Sequence, residues 1–430
     1  MTERVVASIY IHFPWCLAKC PYCDFVSYAT TRDDIDHTGY ADAVIREAEA
    51  RARCLESDGP RRVSSVFFGG GTPSLWDPRE LGRVLKRLRG LFTVDADAEI
   101  SVECNPTSLD RDRARALVDA GANRLSIGTQ SLRQEQLRFL GRLHDPAGAQ
   151  AAVAAAIEVG VPRVSTDLIF GLPGQTPEDA REQAEALADA GLRHLSCYQL
   201  TIEPGTQFGE RKKRGLLPMA DDGAVADSFL AIDETLERRG LRHYEISNYA
   251  AEGEEARHNL AYWRGEEYVG LGCGAFGYVR TRADEAASGG GDRRDAVGDG
   301  ADGRVGVGDG NDGRVGGVRW RNAIVPNDYV ARTKTMRSDA IGESDGVTVM
   351  REALSPEALL RERIMLGLRV AEGVDLGRAG RDLDVDPWTP ERLRTVDALA
   401  ERGRVVREGD VLRVPRAAWL FTDDTASRLF

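Results

Sequence analysis

Six short apolar runs, residues 8–13, 63–68, 99–102, 124–127, 164–170 and 194–200, recur through the first half of the chain. Their spacing is roughly 30 to 40 residues, and a seventh candidate lies at 243–247. Between them run longer segments rich in Ala, Leu, Arg and Glu, among them 39–54, 78–91 and 177–190. Strands alternating with helices at this spacing make parallel βα units, because a parallel pair needs a crossover long enough to hold a helix. Six or seven such units in succession predict an α/β fold built as a barrel or partial barrel rather than a doubly wound sheet.

The polar residues cluster at the ends of these runs. CLAKCPYC follows the first, GGGTPS the second, and ECNP ends the third. GTQS ends the fourth, GLPGQ follows the fifth, and the sixth runs into QLTIEPGT. Gly and Pro end strands without any function. Six such loops in succession point instead to one shared site, because the C-terminal strand ends of a (β/α) barrel converge on one mouth.

The first loop holds three of the seven cysteines, Cys16, Cys20 and Cys23. An odd count with one tight cluster does not make a secreted disulfide framework. In a reducing compartment, clustered thiols indicate a metal. Thiolates are soft ligands that suit zinc, copper(I) and iron–sulfur clusters. Structural zinc takes four protein ligands, commonly as two separated pairs. No second pair follows here, and His12, the available fourth ligand, falls inside the first predicted strand. A [4Fe–4S] cube usually takes four cysteines. Three would leave one iron open to an exogenous ligand, which suits a cluster that holds and reduces a substrate; bare electron carriage is the plainer alternative.

The net charge of -12 counts against broad phosphate-backbone binding and hence against a nucleic-acid partner. No run approaches the roughly 20 apolar residues of a membrane span. The opening MTERVVASIYIHF lacks the charged region, apolar core and cleavage site of a secretory leader, so the expected location is the cytoplasm.

CxxxCxxC after the first strand of a βα barrel resembles the radical S-adenosylmethionine (SAM) superfamily. The resemblance implies a partial (β/α)6 TIM-like barrel, a [4Fe–4S] cluster on Cys16, Cys20 and Cys23, and SAM on the open iron. It implies an electron donor for the cluster as well. YIHFPWC, VFFGGGTPS, SVECNP, RLSIGTQS, GRLH and STDLIFGLPGQT together are similar to the branch holding oxygen-independent coproporphyrinogen III oxidase and the HemW family of heme chaperones. Carried over by motif, Tyr10, Tyr22, Gly70, Gly71, Thr72, Glu103, Gln130, Arg142 and Asp167 are implied to contact SAM. Arg142 suits its carboxylate, and Asp167 or Gln130 its ribose hydroxyls.

Two features separate the relatives. The oxidase pattern has a further cysteine two positions after the third, where this chain has Phe25. HNLAYW (258–263) resembles the HNxxYW motif of the HemW family, which implies heme contact at His258; imidazole is a common axial ligand. His37, His144 and His243 are weaker candidates. The resemblance thus implies heme as ligand and acceptor hemoproteins, among them membrane respiratory enzymes, as partners. A homodimer is a further expectation. Oxidative decarboxylation of coproporphyrinogen III is the alternative function, and no catalytic residue is singled out.

Residues 283–317 are Gly- and Asp-rich, with DGRVG at both 302–306 and 312–316 and almost no bulky apolar side chains. Such a segment gains little by ordering and is expected to be a disordered insertion. Beyond it, SPEALLRERIMLGL reads as a helix with Ser355 as N-cap, 390–402 as a second helix, and GRVVREGDVLRVP as a hairpin turning at 408–410. Helices followed by a hairpin predict a small α+β winged-helix-like module. The expected division is a barrel at 1–250, a connecting region at 251–345 and a C-terminal domain at 350–430.

Overall fold

A computed structural model describes residues 8–55, 62–280, 316–338 and 341–430. Strand β1 (Ser8–Phe13) alternates. Ile9, Ile11 and Phe13 are fully buried in the main core, and Ser8, Tyr10 and His12 take the opposite face. Strands β2 (Arg62–Gly70), β3 (Thr93–Cys104), β4 (Arg124–Gln130), β5 (Arg163–Phe170) and β6 (His194–Gln199) follow. All six pair in parallel in chain order. An order without reversal is that of a barrel wall, whereas a doubly wound sheet reverses at a switch point.

Helices α1 (His37–Leu55), α2 (Pro78–Leu91), α3 (Arg111–Asp119), α4 (Pro146–Glu158), α5 (Pro177–Asp189) and α6 (Asp222–Arg238) follow the six strands in turn. α2 shows why these segments are helical. Asp77 accepts from the Arg79 amide at 2.9 Å, Pro78 opens the helix, and Leu81, Val84, Leu85 and Leu88 form one buried stripe.

The inner face of the wall is unusual for a barrel. Each strand contributes a serine to it: Ser8, Ser65, Ser101, Ser126, Ser165 and Ser196, by strand alternation and register. Bulky branched side chains usually fill such an interior. Here small hydroxyls replace them, so polar and aromatic groups share the lumen.

The sheet continues on both sides. β7 (Arg242–Glu245) and β8 (Asn248–Ala250) extend it antiparallel beyond β6. β9 (Tyr268–Gly272) lies parallel to β1, followed by antiparallel β10 (Phe276–Arg280), β11 (Gly317–Asn322) and β12 (Thr348–Leu354). The order is β12-β11-β10-β9-β1-β2-β3-β4-β5-β6-β8-β7, twelve strands with two unjoined ends among the described residues. The barrel is therefore partial. Helix α7 (Arg257–Trp263) carries HNLAYW and packs against β2.

Past β12, α8 (Pro356–Gly367) starts at Ser355, whose side chain accepts from the Ala358 amide at 3.2 Å. Strand β13 (Val374–Asp375), α9 (Leu376–Leu383), α10 (Pro390–Glu401), β14 (Val406–Glu408) and β15 (Val411–Arg413) complete an α+β unit with sheet order β13-β15-β14. Leu359, Leu360, Ile364, Leu376, Leu412 and Trp419 give it a core separate from that of the barrel. Gly409, at φ 64°, makes the hairpin turn.

Several sequence boundaries shift. β3 begins at Thr93 rather than 99, because Thr93 and Val94 pair with Arg62 and Val63 beyond a register shift. Strands β9 to β12 had no counterpart in the sequence reading. Their glycines do steric work: a Cβ on Gly277 would stand 2.0 Å from the Trp320 ring. The Gly/Asp-rich stretch lies outside the described residues up to 315, and Gly317 already opens β11. No helix among the described residues is long and apolar enough to cross a membrane.

Candidate functional site

The cysteine loop leaves β1 and is closed by backbone bonds. Trp15–Cys16 pairs in parallel with Tyr28–Ala29, the Tyr28 amide donates to the Pro14 carbonyl at 2.8 Å, and the Thr30 amide donates to that of Cys16 at 2.9 Å. A turn bond from the Cys23 amide to the Cys20 carbonyl, 3.1 Å, folds the CPYC segment. The glycine loop docks beside it. The Gly71 amide donates to the Phe13 carbonyl at 2.7 Å, and the Thr72 amide to that of Trp15 at 2.8 Å. Only glycine fits: Gly70 has φ 107°, and a Cβ on Gly71 would stand 2.6 Å from the Trp15 carbonyl oxygen.

Cys16, Cys20 and Cys23 line one cavity with Tyr22, Gly70, Gly71, Thr72, Glu103, Gln130, Arg142 and Asp167. Each sulfur has its own side-chain neighbour. Thr72 Oγ1 donates to Cys16 Sγ at 3.3 Å, Arg142 Nη1 donates to Cys20 Sγ at 3.4 Å, and Ser27 Oγ lies 3.9 Å from Cys23 Sγ. Burial pushes the Cys16 thiol up to about 11 and raises that of Cys23. Thiols so placed stay protonated at neutral pH unless a metal takes the proton's position. Three clustered thiols, two of them with donors aimed at their sulfurs, fit an iron–sulfur cluster, whose thiolate charge such donors stabilise. His12 does not fit a fourth ligand. Its ring nitrogens face Tyr10 Oη at 2.9 Å and the Val26 carbonyl at 2.7 Å.

Two carboxyls face the cavity. Glu103 accepts from the Gly70 amide at 3.0 Å, and burial, then repulsion from Asp167, push its pKa up to about 8. Burial also lifts Asp167 to about 6, against the hydrogen bonds of Ser196 and Ser126. Gln130 sits at φ 65°, one of two non-glycine residues with positive φ among the described residues. Strain of that kind persists where surroundings over-determine it, often at ligand sites. The Tyr22 ring backs the cavity against Leu140, Ile169 and Leu172, and burial raises its phenol well above the ordinary range.

Tyr10 and His258 do not line this cavity. They lie deeper in the lumen, where Tyr10 stacks on Phe67 at 6.2 Å and His258 stacks on Phe67 at 4.8 Å. His258 Nδ1 is 3.2 Å from Ser65 Oγ, and burial pushes its pKa down to about 4. The imidazole is thus neutral at pH 7, the form that ligates a metal. Glu99 holds the helix that carries it: its carboxylate accepts from the Arg257 and His258 amides at 3.2 and 3.3 Å and faces Arg124 at 3.6 Å. The weaker candidates are occupied elsewhere. His37 accepts from the Asp77 amide, His144 bonds the Thr129 carbonyl, and His243 packs between Tyr249 and Trp419.

Four of the six strand-end loops line the cavity, and the other two reach the cysteine loop behind it, through Leu172 and Leu200 packed with Tyr22. GLPGQ and QLTIEPGT supply nothing to the cavity lining. Leu172 instead packs with Leu140 behind Tyr22, so GLPGQ supports the cysteine loop from outside. Ser27, Ser126, Asn105 and Thr107 do line the cavity and escaped the sequence reading. Serine parity on β4 could have revealed Ser126, and Asn105 belongs to the ECNP strand end; nothing local marks Ser27 or Thr107.

A model of the radical SAM superfamily matches residues 10–187, and one of the HemN C-terminal domain matches 354–421. The heme chaperone HemW of Escherichia coli (strain K12) is 41% identical over 279 residues, 65% of this chain and 72% of that protein. The heme chaperone HemW of Mycobacterium tuberculosis (strain H37Rv) is 33% identical over 417 residues, 97% of this chain and 93% of that one. The chain belongs to the HemW family of the radical SAM superfamily. Membership of that superfamily implies a [4Fe–4S] cluster and SAM. A solved E. coli coproporphyrinogen III oxidase (HemN), a radical SAM enzyme, shares the fold at TM-score 0.74 and 22% identity, covering 99% of this chain and 90% of that one. The HemW-family assignment rests on the sequence relatives, since likeness at that identity speaks for the fold alone.

Proposed function

We propose that this chain is a heme chaperone of the HemW type. It binds a [4Fe–4S] cluster through Cys16, Cys20 and Cys23, SAM beside it, and heme at His258, which it delivers to acceptor hemoproteins. The observation that carries this reading is Phe25. It stands 61% exposed at the rim of the cysteine cavity, where the oxidase pattern has a further cysteine. The names of the sequence relatives support the same reading.

The roles follow from the donor set. A bound cluster supplies a one-electron reductant beside the SAM sulfonium. Glu103 keeps its proton near neutral pH until a cation lies beside it; the ammonium group of SAM is such a cation. Gly70 and Gly71 let the backbone approach it closely. Arg142 suits the carboxylate, and Asp167 with Gln130 suits the ribose hydroxyls. Tyr10 acts on the site through His12, and Tyr22 through its backing of the cavity wall. His258, held by Ser65 and Phe67, offers Nε2, which makes no hydrogen bond among the described residues. We further assign a cytoplasmic location, an electron donor for the cluster, respiratory hemoproteins of the membrane as acceptors, and a homodimeric working form.

Heme titration of anaerobically reconstituted protein tests this reading. Wild type is expected to show a saturable Soret band, and His258→Ala to weaken binding at least tenfold. Non-saturable heme uptake by wild type would remove its basis.

A further inference from the structure

Arg142 stands apart from the other cavity residues because it touches a cluster cysteine and keeps a donor in reserve. Nη1 donates to Cys20 Sγ at 3.4 Å, and Nη2 donates to the Gly128 carbonyl at 3.0 Å. Its Nε is buried without a hydrogen-bond partner. No carboxylate forms a salt bridge with this guanidinium among the described residues. The other two sulfurs have neutral hydroxyl neighbours, Thr72 and Ser27. Cys20 is therefore the one cluster cysteine with a charge-assisted donor. The contact is built in: a Cβ on Gly141, at φ 65°, would stand 2.6 Å from Pro21 Cδ, so glycine lets the arginine turn press on the cysteine loop.

Positive charge and hydrogen bonds at a cluster sulfur favour the reduced, more negative state and raise its potential. A buried guanidinium N–H without an acceptor favours an anion that supplies one. We propose that Arg142 is a positioning residue that couples the potential of the cluster to occupancy of the cavity by an amino-acid carboxylate. With the cavity free of anion, its charge is directed at Cys20. A carboxylate bound through Nε draws on the same guanidinium and weakens that contact. By linkage, the redox state of the cluster then sets affinity for the carboxylate to the same degree. This rests on the reading that Cys16, Cys20 and Cys23 hold the cluster and SAM lies beside it.

The test is an EPR-monitored redox titration of full-length, cluster-loaded protein, with and without saturating SAM, for wild type, Arg142→Gln and Arg142→Lys. Without SAM, Arg142→Gln should lower the reduced-to-oxidised ratio at fixed potential at least tenfold, equivalent to 59 mV for a one-electron couple. Arg142→Lys should shift it less, in the same direction. SAM should lower the wild-type midpoint, and lower that of Arg142→Lys less than half as far. Unchanged SAM-free midpoints, or equal SAM shifts in wild type and the lysine variant, would overturn the proposal. Should the glutamine variant fail to hold a cluster, the lysine variant decides alone by the same criteria. Failure of wild type to assemble a cluster, or to bind SAM, would defeat the underlying reading instead.

Discussion

His12 Nε2 lies 2.7 Å from the carbonyl oxygen of Val26, so a strand residue reaches across to the far end of the cysteine loop. A carbonyl only accepts, so Nε2 carries the proton and Nδ1 accepts from Tyr10 Oη at 2.9 Å. Burial, holding His12 down to about 4, keeps this neutral form at pH 7. The ring also occupies the space a Gly70 Cβ would need. One imidazole thus braces β1, the cysteine loop and the glycine loop.

His12→Phe should therefore strand the Val26 carbonyl and the Tyr10 hydroxyl, at about 1–3 kcal/mol for each group left unpaired in the interior. The expected outcome is a lower melting temperature and faster loss of iron from reconstituted protein, with His12→Gln in between. Equal melting temperatures and equal iron retention would contradict the bracing role.

Glu99 should matter for heme binding through the helix it anchors. Its carboxylate is 1% exposed, faces Arg124 and Arg163, and receives the first amides of α7. Glu99→Ala leaves Arg124 buried without its carboxylate, a change of about 3–5 kcal/mol. It also frees the start of the helix that carries His258. Denaturant melts should show the lost stability, and heme titration should show weaker binding than in wild type. Unaltered heme affinity would separate His258 from the anchoring of α7.

Gly71→Ala is expected to be far more damaging than an added methyl suggests. The new Cβ would meet the carbonyls of Trp15 and Phe13 at 2.6 and 2.9 Å, and backbone cannot move aside as a flexible side chain can. Overpacking of this kind costs about 1–3 kcal/mol, here concentrated where the two loops join. Isothermal titration with SAM should show at least a tenfold loss of affinity.

Much of this was legible in the residues. Each strand from β1 to β6 carries a short apolar run ending in Gly, Pro or polar residues, so this part of the wall and its mouth could be read directly. The helices announced themselves through caps such as Ser355-Pro356 and Asp77-Pro78. The early start of β3 was hidden because the alternation of Asp and Ala in TVDADAEI carries little apolar signal. Strands β9 to β12 were obscured by glycines and by the long insertion between β10 and β11. The placement of His258 against Phe67, and the pairing of Ser27 and Arg142 with particular sulfurs, are contacts between distant segments that no local pattern encodes.

The two sets of buried groups give stability a defined pH dependence. Glu103 and Glu245 are both raised to about 8. The unfolded chain ionises these carboxyls first, so their contribution is full at low pH and is lost as pH rises through 8. His12, His144 and His258 are lowered to about 4. Their contribution is full above the unfolded value of 6.5 and is lost as pH falls toward 4. Cluster-loaded, SAM-free protein should thus lose stability as pH rises from about 6.5 toward 8, where the histidine contribution is already full and the carboxyl contribution is being lost. Between pH 6.5 and 8.5, Glu103→Gln should remove a loss on the order of 1–3 kcal/mol. Thermal melts across that range check it; parallel profiles for variant and wild type would contradict it.

A site that handles heme, as proposed, does not oxidise its precursor. This is tested most directly by incubating cluster-loaded protein anaerobically with SAM, a reductant and coproporphyrinogen III, and quantifying protoporphyrinogen IX over time. No product is expected beyond the background of a Cys20→Ala control. Product accumulating over many turnovers would contradict it.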